Sequence, residues 1–203
     1  MSTKKLEREV FVALNFRMIE LPIIGTTPLI VNRFSEKCKT QIKESAILKQ
    51  GGKKKNIIDP EEQYQNSIYY LSDGKSYGFP AGAIKASIVR AAFLGFGRPM
   101  TSTRTLINVI ADDNETGLVE IHGEPRMRED MVRVGGASKT ASPRYRAEFP
   151  MWSAVLKIEY FEDAIIEEDL VKYVASAGKM CGIGEWRPER SNSGRYGCFE
   201  IAQ

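Results

Sequence analysis

The residues with the most capacity for chemistry lie near the C-terminus, in GIGEWRPERSNSGRYG (residues 182–197). Arg187, Arg190 and Arg195 supply guanidinium, Trp186 a flat aromatic surface, and Gly182, Gly184 and Gly194 backbone freedom. A second basic group, Arg126, Arg128, Arg133, Lys139, Arg144 and Arg146, falls within residues 126–150. Guanidinium forks match phosphate oxygens bidentately and stack on bases. Trp186 beside Arg187, and Tyr145 between Arg144 and Arg146, interleave aromatic rings with cations, the combination that holds single strands. Trp186 serves equally well as a packing side chain. The glycines permit either turns with positive φ or a close approach of backbone to a ligand.

Other chemistry finds little support. GIG at residues 182–184 is not a dinucleotide fingerprint, which needs a strand before it and a helix after it; here the order is reversed. No GK(S/T) phosphate loop occurs. The single histidine, His122, sits in a strand-like segment and reads as an edge or surface residue, so no Ser/His/Asp set can be assembled without it. Cys38, Cys181 and Cys198 are too few and too scattered for a disulfide framework or a zinc site. No metal, cofactor or catalytic residue is expected.

Composition is that of a globular protein: 203 residues, 42% hydrophobic, 27% charged, net charge +3. The charge is unevenly placed, with eight Lys/Arg against two Glu in residues 32–55 and six acids without a base in residues 159–169. Separate basic and acidic regions favour a polyanion on one face, although any single run reads first as a solvated surface. No apolar run reaches the roughly 20 residues of a membrane span, and MSTKKLEREV lacks the apolar core of a signal peptide. A cytoplasmic protein without membrane contact is expected.

The elements that must position these residues follow from periodicity. Residues 10–18 alternate as a strand with one buried face, and the Pro and Gly of LPIIGTTPLIVNRF are expected to end its pairing. Residues 33–66 read as an insertion with a basic tip at 50–56. In PAGAIKASIVRAAFLGFG, Pro80 opens a helix, Gly95 ends it, and Ile84, Ile88 and Ala91 form its buried stripe. Lys85 and Arg90 lie on that helix about 140° apart, so they cannot share one narrow stripe. Residues 105–110 and 118–122 read as strands, 126–150 as a long loop, 152–160 as a strand, 167–180 as a helix and YGCFEI as a closing strand. The order predicts one α+β domain with a ferredoxin-like (RRM-like) βαββαβ core and long insertions at about 33–66 and 126–150.

YGFPAGAIKASIVRAAF (residues 77–93) resembles the IPGSSLKGALR helix start of the RAMP superfamily, specifically Cas7-like proteins of CRISPR effectors. Pro80, Gly82, Ile84, Lys85 and Arg90 match in type and spacing, and Ala86 stands where a second glycine is usual. GIGEWRPERSNSGRYGCFEI resembles that superfamily's Gly-rich loop and last strand. The resemblance implies single-stranded RNA or DNA held by the Gly-rich loop, the helix start and an inserted thumb. It also implies subunits stacked head to tail, an open heterologous contact, and further effector subunits as partners. Arg33, Lys85 and Arg90 then join the two arginine groups as binding residues. RNA-cleaving members carry an aspartate soon after the first strand; TTPLIVNRFSE has none, so a non-catalytic protein is expected. The alternatives are a Cas6-like endoribonuclease, for which only His122 is available, and a structural protein that polymerises without nucleic acid.

Overall fold

The computed structural model describes residues 15–33, 59–134, 140–189 and 194–202. The first part of the predicted opening strand, the basic tip at 50–56, Lys139 and Arg190 lie outside the described residues.

In chain order the elements are β1 (Phe16–Gly25), β2 (Leu29–Val31), α1 (Pro60–Ser67), β3 (Tyr77–Pro80), α2 (Ala81–Phe96), α3 (Met100–Leu106), β4 (Ile107–Ile110), β5 (Leu118–Ile121), β6 (Arg126–Val134), β7 (Thr140–Phe149), β8 (Ser153–Phe161), α4 (Glu167–Ser176), one π-helical turn (Ala177–Cys181) and β9 (Phe199–Ile201). The fold is α+β, with sheets that are antiparallel throughout.

The main sheet has the order β4-β8-β1-β9. Along β8 the alternating Ala154, Leu156, Ile158 and Tyr160 are all buried, as the period of two requires. Ile84, Ile88 and Ala91 of α2 and Leu170, Tyr173 and Val174 of α4 cover this face. A core side chain of this size contributes about 1.5–3 kcal/mol by leaving water. The buried face of β1 is set by Leu21 and Ile23, whereas Phe16 and Met18 point outward. That corrects the predicted face of the opening strand: the helices cover only one side of the sheet, and Phe16 and Met18 have the other parity.

Pro22 does not stop β1, contrary to expectation. It pairs with Val155 of β8, and its carbonyl accepts from the Ala202 amide on the opposite side. The missing N–H therefore faces the frayed end of β9, where a lost ladder bond costs least. Helix α2 follows prediction, but its stop is Gly97 at φ 65° rather than Gly95; left-handed backbone at the C-terminus suits glycine. Residues 100–106 form a helix where a strand was expected from 105. Pro99 precedes it, and the Ser102 and Thr103 hydroxyls both donate to the Pro99 carbonyl.

The largest departure is at 126–150. Within the described residues this segment is not a loop but the hairpin β6–β7, in register from Arg126 opposite Glu148 to Val134 opposite Thr140. With β2 it makes a second sheet, β2-β7-β6. Helix α1, within the predicted insertion, serves this sheet: the Tyr145 amide donates to Gln63 Oε1 (2.6 Å) and the Ala147 amide to Ser67 Oγ (2.8 Å). Pairing with β2 ends at Val31 opposite Ala147, and these side chains satisfy the β7 amides at and beyond that end. β3 and β5 pair as a separate ribbon, so residues 105–110 and 118–122 do not form a hairpin with each other.

Candidate nucleic-acid interface

The Gly-rich loop leaves the π-helical turn at Gly182 (φ 64°) and turns again at Gly184 (φ 80°). A Cβ on Gly184 would lie 2.5 Å from the Ile30 carbonyl oxygen. The Glu185 amide donates to that same oxygen (2.9 Å), and the Gly197 amide donates to the Pro28 carbonyl (2.8 Å). Gly184 therefore serves an approach of the loop to β2 rather than to a ligand. On its other side the loop meets the start of α2, where the buried Ser87 hydroxyl donates to the Gly182 carbonyl (2.9 Å). The two motifs that the sequence singled out thus share one wall, through a hydrogen bond between residues 95 positions apart.

Between them lies a cleft of about 250 Å³. Its walls include Ala83 and Ala86 of α2, the Tyr69 and Phe79 rings, Asn32 after β2, and the loop from Gly182 to Glu189. Glu189 lies 2.9 Å from Arg90 Nε and 3.9 Å from Arg187 Nη2. Arg187 also donates to the Gly184 carbonyl (3.1 Å), so it braces the loop. Burial pushes the Cys181 thiol up to about 11, with Glu189 adding to the effect, so this thiol in the cleft wall is no thiolate nucleophile at neutral pH.

Trp186 is the non-glycine residue with positive φ (52°) among the described residues. A bulky side chain in left-handed backbone is strained, and surrounding contacts must hold it. The Arg146 and Arg128 guanidiniums lie 4.7 and 5.3 Å from its ring centroid, and the Tyr196 ring lies 5.9 Å away. Arg128 also lies over Tyr196, 4.9 Å from its centroid.

These arginines are committed to carboxylates. On one face of the hairpin stand Arg126, Arg128 and Asp130 from β6 and Arg144, Arg146 and Glu148 from β7, with Arg128 directly opposite Arg146. Two like charges face to face destabilise a ladder, and the acids resolve this. Arg128 reaches Glu148 (2.7 Å) and Asp130 (3.0 Å), Arg146 reaches Asp130 (2.7 Å), and Arg126 reaches Glu148 (2.7 Å). Arg146 also lies 3.9 Å from Glu185 of the loop. Burial alone would raise the Glu148 carboxyl, but hydrogen bonds from Arg126 and Arg128 hold it below its ordinary value. Burial works against the charge on Arg128, yet Glu148, Tyr196 and Asp130 raise its pKa further.

The predicted site residues therefore divide. Arg126, Arg128, Arg146 and Trp186 form a neutralised latch between hairpin and loop. Arg90 and Arg187 hold Glu189 at the cleft. Lys85 diverges from Arg90, as their angular separation requires: Lys85 reaches Asn108 Oδ1 (3.5 Å), whereas Arg90 Nη1 reaches Met100 Sδ (3.9 Å). Arg33, Arg144 and Arg195 are exposed and meet no carboxylate among the described residues. Arg133 stands in β6 opposite Ala141. Asn32, Tyr69, Ser87 and Glu189 line the cleft but were not singled out; Ser87 and Glu189 fall within the helix-start and Gly-rich motifs, whereas Asn32 and Tyr69 carried no sequence signal. His122 lies outside the cleft lining, exposed, 3.8 Å from Glu120. Among the described residues no cluster of His, Cys, Asp or Glu suited to a metal ion occurs, and no helix is long and apolar enough to cross a membrane.

No family model and no curated protein matches this chain. Solved structures do. The structure of the Type III-B Cmr-beta bound to cognate target RNA contains a similar chain at 13% identity and TM-score 0.48, covering 93% of this chain and 59% of that one. Cmr6 from Pyrococcus furiosus is similar at 10% identity and TM-score 0.45, covering 94% of this chain and all of that one. The chain thus spans about three fifths of the length of the first of these neighbours. At these scores the likeness assigns neither partner nor activity to this chain.

Proposed function

We propose that this chain is a non-catalytic, Cas7-like protein that binds single-stranded nucleic acid, with RNA as the strand, and stacks head to tail along it. The core is read as ferredoxin-like. In support, β1, α2, β4, β8, α4 and β9 follow one another as βαββαβ, and their strands stand in the order β4-β8-β1-β9. The observation that carries the function is the Ser87–Gly182 hydrogen bond, which joins the helix start and the Gly-rich loop at one open cleft. Arg33, next to the cleft residue Asn32, Arg195 of the Gly-rich loop and Arg144 of β7 stand exposed, with no carboxylate to neutralise them among the described residues. The latch gives this surface a fixed shape. Its arginines position the loop, and phosphate contact falls to the unpaired cations.

The test is fluorescence anisotropy of labelled single-stranded RNA and DNA at several salt concentrations. Binding should weaken steeply with salt, because each neutralised phosphate on a single strand contributes a slope of about −0.7 in log K against log salt. Labelled RNA should emerge uncut, and mass photometry should show complexes that grow with oligonucleotide length. Absence of binding to any strand at low salt overturns the reading.

A further inference from the structure

We infer that the cleft between α2 and the Gly-rich loop receives one unstacked nucleobase and reads it as guanine. This rests on the strand-binding reading above and names what its central cleft selects.

The lining favours a base over a phosphate. It contains two carboxylates, Glu185 and Glu189, against one guanidinium, Arg187, and Arg187 is already spent on the Gly184 carbonyl and on Glu189. An anion placed there meets repulsion, whereas a neutral planar ring does not. The space of about 250 Å³ lies below the range of roughly 300–1,000 Å³ usual for drug-sized ligands and suits a single ring system. The Tyr69 and Phe79 rings stand 6.1 Å apart at an interplanar angle of 70°, offering an aromatic wall. Ala83 and Ala86 put methyl groups on the α2 side, beside a Ser87 hydroxyl already committed to the Gly182 carbonyl, so a flat ligand can approach the helix. Single-strand recognition relies on such splayed bases, stacked on aromatic rings and hydrogen-bonded along their edges.

The polar groups decide which base. Glu189 Oε1 stands 2.9 Å from Arg90 Nε as an ion pair without hydrogen-bond geometry, and Oε2 lies 3.9 Å from Arg187, beyond hydrogen-bond distance. The carboxylate therefore keeps acceptor capacity at the cleft. The Asn32 side-chain amide, also in the lining, has no partner among the described residues. Guanine presents N1–H and the N2 amine side by side, two donors that match one carboxylate, and its O6 and N7 acceptors suit an amide donor. Uracil would turn carbonyl oxygens on either side of its single N–H toward the same carboxylate. The cleft thus discriminates by attraction for one edge and repulsion of the other.

The test uses anisotropy with the full chain and four labelled 12-nucleotide RNAs: all uridine, and uridine with one central guanosine, inosine or adenosine. Guanosine should bind about tenfold more tightly than uridine, the scale of one bidentate base contact. Inosine, which lacks the N2 amine, should lose most of that gain. Glu189→Gln should bring the guanosine RNA to the level of the all-uridine RNA measured with the same variant. Ala86→Leu, on the exposed side of α2, should remove the preference by filling the cleft without touching any ion pair. Equal affinity for all four RNAs, a preference for adenosine, or a guanosine preference that survives the filled cleft overturns the inference and leaves strand binding intact. If no RNA binds at all, the strand-binding reading falls, and this inference with it. Should Glu189→Gln fail to fold, the guanosine–inosine pair and Ala86→Leu still decide.

Discussion

Ser87 of α2 donates a 2.9 Å hydrogen bond to the carbonyl of Gly182, and the pair is buried. Helix start and Gly-rich loop are covalently distant but act as one rigid wall because this carbonyl has to find a donor away from water. Ser87→Ala should leave it unsatisfied and cost about 1–3 kcal/mol. Urea unfolding of the variant checks this, and strand affinity should fall with it as the cleft loosens.

Arg146 and Asp130 are both nearly sealed from solvent, at 4% and 9% exposure, and lie 2.7 Å apart. Removing one partner of such a pair strands the other charge, so Arg146→Ala should destabilise by about 3–5 kcal/mol. The urea midpoint reads the loss. Trp186 fluorescence should shift as well, because the guanidinium 4.7 Å from its ring is gone.

The latch makes stability depend on pH. Hydrogen bonds from Arg126 and Arg128 overcome the effect of burial and lower the folded pKa of Glu148 below the reference 4.5. The unfolded chain binds this proton first, so the contribution of Glu148 is fully present above about pH 4.5 and is lost as pH falls through the lower, folded value. Urea midpoints measured between pH 7 and pH 3 should decline along the acid limb. Glu148→Gln should lower stability at neutral pH and flatten that limb.

Gly184 is held at φ 80° with the Ile30 carbonyl oxygen 2.5 Å from where a Cβ would stand. Gly184→Ala should cost at least the roughly 1–2 kcal/mol of left-handed backbone, with the clash added. Thermal unfolding should report a lower Tm, and Gly82→Ala, where a Cβ meets nothing within 4 Å, serves as the control.

The arginines should separate into two functional groups. Arg33→Ala and Arg195→Ala should weaken strand binding across sequences and reduce the salt slope by about one phosphate each, with stability unchanged. Arg126→Ala removes a partner of Glu148 at 2.7 Å and should lower stability instead. A salt titration of binding beside a urea curve for each variant distinguishes the two behaviours.

Long, strongly periodic segments were legible. The alternation from Ala154 to Tyr160, the stripe of Ile84, Ile88 and Ala91 and the stripe of Leu170 and Val174 each pointed to a buried face, and each is buried. The hairpin was not legible as such, because its strands carry charge where a half-buried strand normally carries hydrocarbon. The sign was present nonetheless: Arg126, Arg128 and Asp130 and then Arg144, Arg146 and Glu148 recur at every second residue, a ladder written in ion pairs. Pro22 was misread because a proline ends a strand only where its missing donor faces a full partner, and here it faces the end of β9.

From composition and spacing alone follow the α+β class, the two helices that cover the main sheet, and the concentration of glycine and arginine between α4 and β9. Local sequence carries these because period, capping and turn preference act over a few residues. Whether a given guanidinium meets a phosphate or a carboxylate is not a local property. Arg128 and Arg146 belong to the protein's own latch because strand pairing sets Asp130 and Glu148 beside them and folds Trp186 over both. Only chain segments brought together from far apart could set those partners, and the same packing left Arg33, Arg144 and Arg195 exposed, with no carboxylate among the described residues to pair with them.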